Sequence, residues 1–139
     1  MQASSDIAAL DPATTDVFLE ALEEHADPLA VLRAVRAQLP RARLFALIAN
    51  GAYLPTLGAF FAGAPFAAGR PLVHAEIEPL FSAAGWQTQT IVPVVDATLP
   101  PGQAAPLEIN AGPIIFQITD PAVLERVRSA AFFVVAGRR

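Results

Sequence analysis

The sequence predicts a three-layer α/β domain built on a small, mostly parallel or mixed sheet. Two observations carry this. Segments of helical periodicity alternate with short apolar runs, and the runs RLFALIA (Arg43 to Ala49) and AFFVVAG (Ala131 to Gly137) are continuous enough for strands covered on both faces. Three Asp-Pro pairs, Asp11-Pro12, Asp27-Pro28 and Asp120-Pro121, each stand before such a helical pattern. Asp caps the free amides of a first turn, and Pro at the first helical position loses no needed donor.

The first pair introduces DVFLEALEEH, read as helix within an N-terminal helical segment of residues 1–26. Phe18 and Leu22, with Val17, Leu19 and Ala21, face inward, while Asp16, Glu20, Glu23 and Glu24 face water. The second introduces PLAVLRAVRAQL, with Leu29, Leu32, Val35 or Arg36, and Leu39 on one stripe, stopped by Pro40. HAEIEPLFSAAG places Ile77, Leu80, Phe81 and Ala84 on one face and ends at Gly85, suited to a left-handed C-terminal residue. Pro79 is expected in its first turn or at a kink. The third pair introduces PAVLERVRS, ending near Ser129. QTQTIVPVV (Gln87 to Val95) and PIIFQI (Pro113 to Ile118) complete the strands, the former alternating as an edge or less buried strand does. ATLPPGQAAP (Ala97 to Pro106) reads as a loop between core elements.

The length of 139 residues fits one domain, spanning 1–139. Hydrophobic residues make up 54% and charged ones 16%, against typical values of about 45–50% and about 25%. The excess of apolar surface points to a partner, and a homo-oligomer is expected. Net charge is −4 and the nine basic residues, all Arg, are scattered, which disfavours nucleic-acid binding. Without cysteine there is no disulfide, thiolate or cysteine-type zinc chemistry. With only His25 and His74 available, far apart in sequence, no metal site is expected. MQASSDIAAL lacks the features of a signal peptide, so cytoplasmic localisation is the default.

Leu44 to Gly69 contains no charge and is long enough by count to span a membrane. Asn50-Gly51, Pro55, Gly58, Gly63 and Pro65 interrupt it too often for one continuous helix. No membrane span is expected; the reading is a central strand, a turn at its carboxyl end, and an apolar segment from Ala52 to Gly69.

The order of these pieces resembles the C-terminal half of class I S-adenosylmethionine-dependent methyltransferases, particularly the group associated with glycosyltransferases. The residues that carry it are Leu22-Glu23-Glu24-His25-Ala26-Asp27-Pro28 with the following LAVLRAVRAQLP, then RLFALIANGAYL, FSAAGW and AFFVVAGRR. The resemblance covers residues 27–139 most fully and makes Ala52 to Gly69 a variable lid. His25 stands one residue closer to Asp-Pro than the family pattern, and Ala49 replaces an expected proline. The family register also implies a strand near Thr15 to Leu19, in conflict with the helical periodicity over residues 12–25.

The chain has no Gly-x-Gly, and its first glycine is Gly51. The Gly-rich turn through which backbone approaches a dinucleotide-type cofactor is therefore missing. The resemblance implies S-adenosylmethionine as cofactor of the whole fold, a small molecule or sugar as acceptor, and a missing N-terminal domain that would hold the cofactor. It implies Glu24 and His25 as acid/base residues beside the acceptor; the alternative is an acidic helix surface ending in a histidine favoured by the dipole. Asp6 would be the adenine-contacting acid or a solvated N-terminal residue. Asn50 would contact cofactor beyond a strand's carboxyl end or serve Asn-Gly turn geometry.

His74, Glu76 and Glu78 read as a helix start favoured by the dipole, and Tyr53, Phe60, Phe61 and Phe66 as core, interface or lid aromatics. The expected function is a methyltransferase-like domain, inactive alone and part of, or derived from, a larger transferase. The alternative is a non-catalytic interaction or dimerisation domain pairing through an uncovered sheet edge.

Overall fold

The computed structural model describes residues 2–3, 11–65, 71–96, 106–111 and 114–138. Its elements are β1 (Gln2–Ala3), β2 (Asp16–Glu20), a 3-10 turn (Leu22–Glu24), α1 (Pro28–Gln38), β3 (Arg43–Ala49), α2 (Leu54–Phe61), α3 (His74–Ala83), β4 (Trp86–Val95), β5 (Leu107–Ala111), β6 (Ile114–Ile118), α4 (Pro121–Arg128) and β7 (Ser129–Arg138). The main sheet has the order β1-β2-β3-β7-β4, with β5 and β6 forming a separate hairpin. β1, β2 and β3 are parallel, whereas β7 is antiparallel to both β3 and β4. The domain is thus α/β with a mixed sheet, as expected.

Local chemistry sets the helix starts. The Asp27 carboxylate accepts from Ala30 N at 2.9 Å ahead of Pro28, and the Asp120 carboxylate accepts from Ala122 N at 2.8 Å ahead of Pro121. At α3 the Glu76 carboxylate reaches back to accept from Val73 N at 3.1 Å. Gly85 ends that helix at φ +83°, a conformation a side chain rarely adopts. Pro79 lies inside α3, beyond its first turn, on the exposed side with Ala75.

Residues 16–25 depart from the helical reading. Asp11 does cap a turn, its carboxylate accepting from Ala13 N and its carbonyl from Thr14 N, both at 2.9 Å, but the chain then extends as β2. Val17 and Leu19 are buried while Phe18 is half-buried, a period of two rather than 3.6. Parallel pairing along the whole of β2 with Arg43 to Leu47 outweighs the local periodicity. Only the 3-10 turn Leu22–Glu24 of the expected N-terminal helical segment is helical among the described residues.

The core lies on one face of the sheet. Val17, Leu19, Leu44, Ala46, Ile48, Phe132, Val134 and Ala136 meet Leu32, Val35 and Leu39 around α1 and Ile77 and Phe81 of α3. Burying each large aliphatic or aromatic side chain contributes about 1.5–3 kcal/mol. Trp86 locks the corner: its indole nitrogen donates to Leu32 O at 3.0 Å, and the Arg36 guanidinium stacks on its ring at 5.2 Å. Arg33 adds a bond to Ala83 O at 3.3 Å between α1 and α3.

The opposite face carries Phe18, Phe45, Leu47, Phe133 and Val135, none of them fully buried. β3 and β7 therefore alternate between buried and half-buried residues, although both read as continuously apolar. β4 is the edge strand, as expected, with a register shift between Thr88 and Thr90. No helix among the described residues is long and apolar enough to cross a membrane.

Candidate functional site

Because β2 and β3 are parallel and β7 runs antiparallel to both β3 and β4, the strands β2, β3 and β4 end on one edge of the sheet. In open α/β sheets this carboxyl edge is where ligands bind. Three chain segments leave it here: Glu20 to His25, Ala49 to Tyr53, and Val95 with Asp96.

After β2 the chain turns through Ala21 at φ 53° and ψ 38°, a left-handed conformation at a residue other than glycine. Such a backbone costs about 1–3 kcal/mol and persists where the surroundings impose it. Here it folds Leu22 into the core. Glu24 N donates to Ala21 O at 3.0 Å and His25 N to Leu22 O at 3.3 Å, closing the turn. Glu24 and His25 are thereby presented outward and exposed. Glu23 turns in, and its Oε2 is buried without a hydrogen-bond partner among the described residues. Periodicity placed Glu23 with the water-facing acids, and nothing in the sequence signals the inward turn.

After β3, Asn50 is 4% exposed. Its amide nitrogen donates to Arg126 O at 2.7 Å and Ser129 O at 2.8 Å, and its amide oxygen accepts from Ala52 N at 3.0 Å. The side chain stitches the end of β3 to the α4–β7 junction. Gly51 is fixed by close approach: a Cβ there would lie 2.6 Å from Pro71 Cβ and 3.2 Å from Leu72 O. Tyr53 then reaches across the edge, its hydroxyl donating to the Asp96 carboxylate. That bond, followed by burial, raises the tyrosine pKa above its ordinary value.

α2 occupies part of the expected lid and buries none of its residues. Phe60 and Phe61 stay 45% and 43% exposed, and the Phe61 ring lies 5.4 Å from Phe116 of the β5–β6 hairpin. Phe66 and Asp6 fall outside the described residues. His74, at the start of α3, sets its ring edge-on to Phe132 at 5.2 Å, and burial followed by the nearby Arg126 lowers its pKa. With Glu78, Ser82 and Ile91 it lines an open cleft of ≈ 400 Å³.

The edge therefore offers an exposed carboxylate and imidazole on the β2 turn, beside an internally bonded Asn50 on the next strand. Among the described glycines, Gly51 and Gly137 face this chain's own side chains, and Gly58, Gly63 and Gly85 face open space.

No family model and no curated protein sequence matches the chain. Solved structures do. A Haloferax volcanii complex of the Trm112 methyltransferase activator with a methyltransferase aligns at TM-score 0.53 and 16% identity over 88% of this chain and 53% of that one. A Thermotoga maritima S-adenosylmethionine-dependent methyltransferase aligns at 0.55 and 11% over 89% and 55%. Magnesium protoporphyrin IX methyltransferase from Synechocystis PCC 6803, solved with bound S-adenosylhomocysteine, aligns at 0.54 and 14% over 96% and 49%. The chain spans about half the length of the structures it resembles. Identities this low speak to architecture alone, and the architecture is a methyltransferase-like α/β fold.

Proposed function

We propose that this chain is the C-terminal half of an S-adenosylmethionine-dependent methyltransferase fold, acting within a larger transferase and inactive by itself. The observation that carries the proposal is the asymmetry of coverage: 88–96% of this chain aligns with only 49–55% of each methyltransferase. The lack of any Gly-x-Gly turn fits the same division. Bound S-adenosylmethionine would supply an electrophilic methyl group, and in this reading the other half of the fold holds it.

In this reading the present half contributes the acceptor side. Glu24 and His25 are exposed beyond the carboxyl end of β2, and in this reading they would take a proton from an acceptor hydroxyl of a small molecule or sugar. Asn50 positions the neighbouring wall through its three hydrogen bonds.

The test is calorimetric titration of the lone chain with S-adenosylmethionine, alongside its mass in solution. No binding is expected, and clear binding would overturn the proposal. The alternative, a non-catalytic pairing domain, draws on the exposed Val92, Val94 and Val95 of the edge strand β4. Pro93 within that strand blunts edge-to-edge pairing.

A further inference from the structure

The cleft on the flank of α3 is set apart from the β2 turn. The edge strand β4 supplies Ile91 to it, and α3 supplies His74, Ala75, Glu78, Pro79 and Ser82. In the order β1-β2-β3-β7-β4, three strand spacings separate β4 from β2, about 14 Å at about 4.8 Å each. Glu24 and His25 belong to the other flank.

Helical spacing aligns the polar groups of the cleft. His74, Glu78 and Ser82 recur every fourth residue and stand in a row along one side of α3. Pro79 adds an acceptor to that row. Having no N–H, it cannot donate to the carbonyl of Ala75 four residues earlier, so one helical bond is missing on the side of α3 that lines the cleft. Among the described residues the Glu78 carboxylate and the Ser82 hydroxyl have neither a hydrogen-bond nor an ion-pair partner. Glu78 also lies in the second turn of the helix, past the reach of the dipole that favours Glu76.

The chemistry of the row is one-sided. A carboxylate, a carbonyl and a hydroxyl oxygen accept hydrogen bonds, and no Lys or Arg lines the cleft. Burial, followed by Arg126, favours the neutral His74 ring, which keeps one ring nitrogen as a further acceptor. Such a site selects a ligand that donates. Glu78 stands three residues from Ala75 and four from Ser82, the spacings at which helical residues are neighbours. Three acceptor groups so placed match the three N–H bonds of a primary ammonium. The Pro79 ring and Ile91 offer apolar surface to a hydrocarbon stem. Arg126, whose charge is felt at His74, opposes a second cation at that end.

We infer that this cleft binds a small primary monoamine, with its ammonium group on Glu78, the Ala75 carbonyl and Ser82 and its hydrocarbon stem on Pro79 and Ile91. The inference is independent of the half-fold reading, because every residue it uses is described in this chain and none belongs to the β2 turn.

The probe is n-hexylamine, titrated into the chain by calorimetry and by amide NMR shifts, with n-hexanol, hexanoate and hexamethylenediamine as comparisons. Saturable binding of hexylamine is expected, with shifts centred on α3 and Ile91, weaker binding of the alcohol and the diamine, and none of hexanoate. Glu78→Gln should weaken hexylamine binding at least about tenfold. Pro79→Ala returns a helical donor to the Ala75 carbonyl and should weaken binding severalfold. The fold of each variant is followed through the emission of Trp86, the single tryptophan. Glu20→Gln, at the end of β2, should leave binding unchanged. Hexanoate bound as tightly as hexylamine, binding indifferent to Glu78→Gln or to Pro79→Ala, or shifts centred on the β2 turn would overturn the inference, as would the lack of saturable binding at millimolar hexylamine. Titration with S-adenosylmethionine reports separately on the half-fold reading.

Discussion

Phe132 and Phe133 are neighbours on one strand and live in different proteins, physically speaking. Phe132 points into the layer of α1 and α3 and is fully buried, with His74 edge-on to its ring. Phe133 points the other way, into a half-exposed cluster with Phe18 and Phe45. The two sheet faces have similar apolar composition, so hydrophobicity alone does not decide which is core. What differs is the partner layer, present for one face and absent for the other among the described residues.

The largest expected effect breaks that comparison directly. Phe132→Ala should destabilise the domain by about 3–5 kcal/mol in denaturant unfolding followed by Trp86 emission, through lost transfer energy and a cavity. Phe133→Ala should lower stability by only about 1 kcal/mol or less, since its side chain is already partly in water. Equal losses would mean that the open face is covered in solution.

Next in size is Asn50, which ties the covered layer to the carboxyl edge. Asn50→Ala strands two carbonyls, of Arg126 and Ser129, and should cost about 2 kcal/mol. Asn50→Asp should cost more, because it sets an acceptor carboxylate against those two carbonyls. If the Asp variant matched the Ala variant, water would have to reach this junction. Smaller again is Ala21→Gly, expected to stabilise by about 1 kcal/mol by relieving the left-handed backbone. A loss instead would mean that the Ala21 methyl group packs.

These sites show what the sequence could reveal. Asp27-Pro28 and Asp120-Pro121 were legible as helix starts because capping is local chemistry, satisfied within three residues. DVFLE was misread because its fate depends on pairing with β3, 27 residues further on, as in the Arg43–Asp16 contact. Periodicities of two and 3.6 both fit so short a stretch. β5 and its hairpin with β6 were hidden for the same reason, since only β6 carries a continuous apolar run. At the carboxyl edge, Asn50-Gly51 was visible as a turn, whereas the bonds that use Asn50 come from α4 and β7. The inward rotation of Glu23 follows from the backbone of Ala21, which no residue type announces.

pH separates the faces further. On the covered side, burial first and Arg126 second hold the His74 pKa below its ordinary 6.5. The unfolded chain then takes up the proton more readily, so stability falls as pH drops through about 6.5 and levels off below the folded value. His74→Gln should flatten that slope in unfolding curves measured between neutral and mildly acidic pH.

The smallest effect belongs to the open face, where the bond from Arg43 is the main cause of an Asp16 pKa below its ordinary 3.8. A depressed carboxylate contributes stability that is present above 3.8 and is lost as pH falls through the lower folded value. Because the pair is solvent-accessible, salt should erase most of that slope, whereas the His74 slope, set first by desolvation, should survive it. Asp16→Asn should remove the share of the acidic slope that Asp16 carries and lower stability at neutral pH by the same small amount. A salt-resistant Asp16 slope would instead mean that the pair is shielded from solvent.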